Sequence, residues 1–255
     1  MNGAALRISR THFPVTALGP GVRLGVWVQG CPLACRGCMA RDTWDAGGGT
    51  AVDVEELAGR WREAIRRGAS GLTVSGGEPL AQAGPLAAFL EAAHRVRAEA
   101  EGEYDILMFT GYEPEELDAR QRRAAGYADV LVTGRFEAAA PTALIWRGSA
   151  NQRMLPQSDL GRRRYAAHVD HEPERPPVQL RADGTGAWIV GVPRRGTLAA
   201  LDRALRAGHL DADRVSWRAA PAQEPEREPC SGTGGSTAGP APSHPATDPA
   251  NDPGT

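Results

Sequence analysis

The sequence predicts an α/β protein built on a parallel sheet, and three observations carry that prediction. Short apolar runs of strand length alternate with segments of helical period. Turn residues follow the runs, which separates each strand from the helix after it. Cys31, Gly76, Thr110 and Gly134 all fall at carboxyl ends of predicted strands, where open α/β sheets and barrels bind their ligands.

The elements follow in order. Leu24 to Gln29 is a mostly apolar run that reads as a buried strand feeding a cysteine-rich loop. Val54, Leu57, Trp61, Ala64 and Ile65 recur at helical spacing and predict an amphipathic helix over 53–67. Gly71–Ser75 is a second strand ending in Gly76-Gly77. Leu86, Phe89, Leu90 and Ala93 mark a second helix with Pro85 near its start. Asp105–Thr110 is a third strand, Glu113–Arg123 a third helix and Asp129–Gly134 a fourth strand. Ala143–Arg147 reads as a fifth strand. Residues 1–155 are thus expected to form the core. Residues 156–177, polar and ending in Pro176-Pro177, read as a connector. Over 178–215 a small extension is expected, with a hairpin turning at Asp183-Gly184 and a helix marked by Leu198, Leu201 and Leu205. Residues 216–255 form a Pro/Gly-rich tail: the last 35 residues carry 8 prolines and 5 glycines and no large apolar residue, a composition expected to be disordered.

Bulk properties narrow the function. Hydrophobic residues at 41% and charged residues at 24% are those of a soluble globular protein. A net charge of −2 gives no global electrostatic case for nucleic acid or an anionic membrane. All fixed positive charge is arginine, which excludes a Schiff-base lysine and a P-loop. No apolar run is long enough to cross a membrane, and residues 1–14 lack the apolar core of a signal peptide. The expected location is therefore the cytoplasm, where thiols stay reduced and closely spaced cysteines read as metal ligands.

Cys31, Cys35 and Cys38 lie in one loop, and the remaining cysteine, Cys230, lies in the tail. C-x3-C-x2-C is the spacing of a loop that wraps an iron–sulfur cluster one protein ligand short. Four thiolates suit electron transfer, whereas three leave one iron open to a small molecule. Structural zinc wants four closed ligands, and no histidine lies in or beside this loop. A disulfide would leave an odd thiol. Gly76-Gly77 permits close backbone approach to a ligand, and Glu78 is placed to pair with a substrate ammonium. The plainer reading of these residues is a strand-to-helix turn with an acid in its first turn.

With the Gly76-Gly-Glu-Pro79 turn, the cysteine loop resembles that of the radical S-adenosylmethionine (SAM) superfamily. Within it the chain is most similar to the activating proteins of anaerobic ribonucleoside-triphosphate reductases. The matching stretches are Gly19–Arg23, Gly30–Cys38, Asp42–Trp44, Leu72–Leu80, Phe109–Tyr112, Asp129–Val132 and Arg147–Arg153. The resemblance implies a partial (β/α) barrel of the radical SAM type carrying a [4Fe–4S] cluster on Cys31, Cys35 and Cys38. SAM would occupy the fourth iron, and its reductive cleavage would give a 5′-deoxyadenosyl radical that takes hydrogen from a glycine Cα of a partner reductase. It also implies a low-potential electron donor such as flavodoxin or ferredoxin. Met39 would pack near the adenine, or is a core methionine; Gly76, Gly77, Glu78 and Thr110 would line the SAM pocket, with Thr110-Gly111-Tyr112 otherwise a plain turn; and Asn151-Gln152-Arg153 would contact SAM or shape the docking face. Trp44 reads as structural and Arg162–Arg164 as a solvated face.

The family commonly has an acid before the glycine after the fourth strand, and here Thr133 stands in its place. The 178–215 extension also exceeds the family core. Two alternatives therefore remain: a radical SAM enzyme with another peptide or small-molecule substrate, and a non-enzymatic iron–sulfur or zinc module.

Overall fold

Four parallel strands form the middle of a seven-stranded sheet. In the computed structural model, which describes residues 4–183, 186–208 and 215–217, these are β2 (Arg23–Val28), β4 (Gly71–Gly76), β5 (Asp105–Phe109) and β6 (Val130–Thr133). The order is β3-β1-β2-β4-β5-β6-β7, with β1 (Ala5–Val15), β3 (Thr50–Asp53) and β7 (Arg153–Pro156) joined antiparallel at the two sides. The fold is mixed α/β, as expected. The tail expected over 216–255 starts too early: Ser216 and Trp217 are buried, Ser216 N–H donating to Ala187 O at 3.1 Å and the Trp217 indole to Asp202 at 2.9 Å, and the rest of it, with Cys230, lies outside the described residues.

All six residues of β2 are buried, because both faces of the sheet are covered. Leu24, Val26 and Val28 face one apolar cluster with α1 (Val54–Arg66) and α2 (Ala83–Ala98). Trp27 faces the other, with Leu107, Val130, Val132, Trp146 and Tyr165. Helix α1 starts where Asp53 accepts the Glu55 N–H at 2.8 Å, and it buries Leu57, Trp61 and Ala64. In α2 the buried face is Leu86, Phe89, Leu90, Ala93 and Val96.

Several expectations are corrected. Ala143–Arg147 is not a strand. Trp146 sits at φ 57°, which breaks an extended run, and Ile145 and Trp146 are buried by packing under the sheet rather than by pairing. The strand that pairs with β6 is β7, further on. The helix expected over Glu113–Arg123 divides into a single 3-10 turn at Pro114–Glu116 and a shorter α3 (Ala119–Ala125). The break is at Asp118, whose carboxylate caps the N–H groups of Arg120 and Gln121 at 2.8 Å and starts a new helix. The 156–177 segment contains α4 (Asp159–Tyr165), capped by Ser158. Of Arg162–Arg164, the first two are exposed, but Arg164 pairs with Asp105 at 2.8 Å. The hairpin strands β8 (Val178–Asp183) and β9 (Gly186–Gly191) and the helix α5 (Thr197–Ala207) are present as expected.

At the end of the sheet where the parallel strands begin, Arg23 and Asp105 form a fully buried ion pair at 2.7 Å. The Tyr165 hydroxyl donates to the same carboxylate at 2.6 Å. The cysteine loop lies at the other end.

Candidate functional site

The carboxyl ends of the parallel strands are tied together by backbone. Glu78 N–H donates to the Gly30 carbonyl at 2.9 Å, Gly77 N–H to Val28 at 2.9 Å and Thr110 N–H to Val132 at 2.9 Å. The cysteine loop is held from its far side, where Gly30 and Cys31 donate to the carbonyls of Thr43 and Trp44 at 2.8 and 3.1 Å. The Gln29 amide closes the loop by donating to Asp45 O at 2.8 Å. Cys31, Gly76, Thr110 and Gly134 do stand at one edge of one sheet: Gly76 ends β4, Thr110 and Gly134 directly follow β5 and β6, and Cys31 comes three residues after β2.

The glycines are demanded by neighbouring backbone. Gly76 has φ 105°, and a Cβ there would lie 2.5 Å from the Val28 carbonyl. At Gly77 a Cβ would fall well inside contact distance of the Gly30 carbonyl and 3.0 Å from that of Thr43. Neither carbonyl can swing away, because both belong to the hydrogen-bonded base of the cysteine loop. Gly77→Ala is therefore expected to destabilise the chain by about 1–3 kcal/mol, measurable by urea unfolding, and to lower iron retention through displacement of the loop.

The three thiols are half-buried and free of disulfides. Ala34 at φ 44° and Gly37 at φ 83° coil the loop tightly between them. Burial pushes the Cys31 and Cys38 thiols up, and N–H groups partly offset it: those of Leu33 and Ala34 at Cys31, and that of Ala40, 3.4 Å from Cys38 Sγ. N–H donors on sulfur stabilise thiolates, and hydrogen bonds of this kind help set cluster potentials. Among the described residues no three His, Cys, Asp or Glu side chains converge as ligands of one ion would. A cluster takes its thiolates on different irons, so the donor set and its spacing fit a cluster.

Glu78 is 1% exposed and already engaged. Its carboxylate accepts from Leu80 N at 2.9 Å, Thr110 Oγ1 at 2.8 Å and Gly111 N at 2.7 Å. Burial raises its pKa, and these donors oppose the rise. It thus ties β4 to β5 and keeps one acceptor position uncommitted on Oε2.

Cys38, Met39 and Gly76 line a cleft of about 400 Å³ together with Phe109, Phe136 and Trp146. Asn151 and Arg153 are turned to internal partners: Asn151 donates to Arg135 O at 2.8 Å, and Arg153 pairs with Glu113 at 2.7 Å. Gln152, between them, lines the cleft. A carboxylate does stand beside Thr133, since Glu113 accepts from its hydroxyl at 3.2 Å. Met39 packs against the cluster of Ile189, Val215 and Trp217 in the C-terminal region. The aromatic wall was missed because Phe136 and Trp146 lie outside the matching stretches and Phe109, which opens one of them, carries no ligating or polar group. Position alone could have found Phe109, the last residue of a parallel strand.

Residues 17–155 match the family described as the 4Fe-4S single cluster domain, so the class is that of proteins built around one such cluster. The chain belongs, more narrowly, to the family of anaerobic ribonucleoside-triphosphate reductase-activating proteins. It is 37% identical over 145 residues to the one from Haemophilus influenzae, covering 55% of this chain and 92% of that protein. Against the Vibrio cholerae protein it is 38% identical over 147 residues, with the same coverages. Against that of Escherichia coli K12 it is 35% identical over 147 residues, covering 55% and 93%. Among solved structures, QueE from Escherichia coli covers 51% of this chain and 71% of its own at 15% identity and a TM-score of 0.35. No helix among the described residues is long and apolar enough to cross a membrane.

Proposed function

We propose that this chain is a radical SAM activase that generates a glycyl radical on a partner enzyme, an anaerobic ribonucleotide reductase. The observation that supports this best is the C-x3-C-x2-C loop at the carboxyl edge of the parallel strands, with Cys38 opening on the cleft, in a chain of the reductase-activating family. In this reading Cys31, Cys35 and Cys38 hold a [4Fe–4S] cluster at the top of a partial (β/α) barrel formed by residues 1–155, and one iron is left for SAM. When bound, the cluster supplies the electron that splits the SAM sulfonium, and the adenosyl radical released takes a hydrogen atom from a glycine Cα of the partner.

The chain's own residues prepare that step. Gly76 and Gly77 seat the end of β4 against the cysteine loop, so Cys38 and Gly76 share one cleft. Met39, Phe109, Phe136 and Trp146 give the cleft an apolar wall suited to adenine and poor in water. Glu78, fixed by Thr110, offers its uncommitted Oε2 position to the SAM ammonium. Asn151, donating to the carbonyl of Arg135 beside Phe136, and Arg153, paired with Glu113, hold the loops behind the cleft. The electron donor is a low-potential carrier of the flavodoxin or ferredoxin kind, and the compartment is the cytoplasm.

The test is anaerobic reconstitution with iron and sulfide, followed by reduction in the presence of SAM. 5′-Deoxyadenosine is the expected product, and its absence from protein with an intact cluster ends the enzyme reading. A second reading, the same chemistry on another peptide or small molecule, is favoured by one observation: Val192–Gly196 and Leu198, outside the family match, line the cleft. Abundant 5′-deoxyadenosine with no radical on any reductase supplied would select it.

A further inference from the structure

The cleft beside Cys38 does not end at the family core. Val192, Pro193, Arg194 and Arg195, between β9 and α5, form one of its walls. The same four residues also line a second hollow of about 380 Å³, which shares Trp146 and Gly148 with the first. They thus make a ridge between an inner hollow that reaches the cysteine loop and an outer one that opens away from it. The C-terminal region is joined to the loop itself: Met39 packs against the cluster of Ile189, Val215 and Trp217, Asp42 N–H donates to Ser216 O at 3.4 Å, and Arg10, paired with Asp42, lies 5.5 Å from the centre of the Trp188 ring.

The charge on this groove has one sign. The charged side chains lining the two hollows are Arg147, Arg194 and Arg195, with no Asp or Glu among them, in a chain that carries 31 acids. Arg194 is fixed by donating to the carbonyls of Pro173 and Glu174. Arg147 is only 6% exposed and donates to Val169 O, yet its Nε is buried without a partner. Arg195 is exposed and makes no hydrogen bond or ion pair with any described residue. The two hollows adjoin along this ridge and share Pro141, Trp146 and Gly148 as well. An extended chain, advancing about 3.3 Å per residue, follows such a run.

We infer that the Val192–Arg195 ridge and Arg147 form a docking groove for an acidic, extended segment of the partner, the segment that brings its glycine to the cleft. This rests on the activase reading and deepens it, because it gives the 178–215 extension a task in partner choice. Cationic rims of this kind set association rate and specificity more than bulk affinity.

The test uses the full chain and two short fluorescein-labelled peptides, each with a central glycine, one flanked by glutamate and the other by lysine. Fluorescence anisotropy at low salt is expected to show the acidic peptide binding about tenfold tighter or better, with the preference shrinking as salt is added. Arg195→Glu should abolish the preference. Arg203→Glu, the same charge change at an exposed α5 position outside both hollows, should keep it. No preference in the unmodified chain, or equal loss in both variants, overturns the groove. 5′-Deoxyadenosine formation without peptide reports separately on the activase reading, so a chain that cleaves SAM but shows no acidic preference loses only the groove.

Discussion

Replacing Asp105 by alanine is expected to cost about 3–5 kcal/mol of folding stability, the range for breaking a buried ion pair by removing one partner. Asp105 and Arg23 are both 0% exposed. The carboxylate accepts from Arg23 Nη1 at 3.1 Å and Nη2 at 2.7 Å, and from Tyr165 at 2.6 Å, with Arg164 2.8 Å away. Arg23 also donates to Thr73 Oγ1 at 2.6 Å and to Leu72 O at 2.8 Å, so it cannot follow solvent outward once its partner is gone. A guanidinium does not neutralise itself by losing a proton at ordinary pH. Urea unfolding of Asp105→Ala checks the cost. A double variant, Arg23→Met with Asp105→Leu, should recover part of it, because apolar replacement of both partners removes the stranded charge. A cost under about 0.5 kcal/mol, the level of surface substitutions, would show the pair to be inessential.

The same cluster carries a pH dependence. Burial holds the Tyr165 hydroxyl well above its ordinary value of 10.0, and the neighbouring Asp105 adds to the rise. A raised folded-state value means that the folded chain keeps a proton the unfolded chain releases. The contribution is complete below pH 10 and is lost as pH climbs beyond it. Tyr165→Phe should flatten that alkaline fall, at the cost of about 0.5–1.5 kcal/mol for the missing hydrogen bond. Tyr165 belongs to α4, beyond the residue at which the family match ends, so this bond joins the added C-terminal part of the chain to its core.

Which features could be read from the chain follows from what each residue answers to. The parallel strands were legible because burial on both faces turns them into continuous apolar runs, such as Leu24–Val28. β1 was missed because its run of Arg7, Ser9, Arg10, Thr11 and His12 hides the alternation of Leu6 and Ile8, although it pairs on both sides. Ala143–Trp146 misled for the opposite reason, since apolar side chains buried by packing look the same as those buried by pairing. At the site, the cysteines and glycines were legible because ligand spacing and backbone clearance are local demands. Glu113 beside Thr133 and the arginines of the ridge were not, because their placement comes from loops that meet only in the folded chain.

Removal of one cluster ligand should produce the largest effect on activity. Cys31→Ala, Cys35→Ala and Cys38→Ala are each expected to lower SAM cleavage by more than the ~10–100-fold typical of losing an outer-shell partner of a metal site, with iron and sulfide content falling in parallel. The apo fold should change little. The thiols are half-buried, and the loop is held by the backbone bonds of Gly30 and Cys31 to Thr43 and Trp44 rather than by sulfur. Cys31→Ala and Cys38→Ala should each cost the apo chain a little, because Leu33 and Ala34 N–H lose their sulfur acceptor in the first and Ala40 N–H in the second. Cys230→Ala supplies the decisive comparison. If three thiolates bind the cluster, this variant keeps its iron, and the spectrum of the reduced cluster still changes when SAM is added. If it loses iron and the spectrum ignores SAM, the cluster has four protein ligands and no open iron, and the chain is an electron-transfer protein rather than an activase.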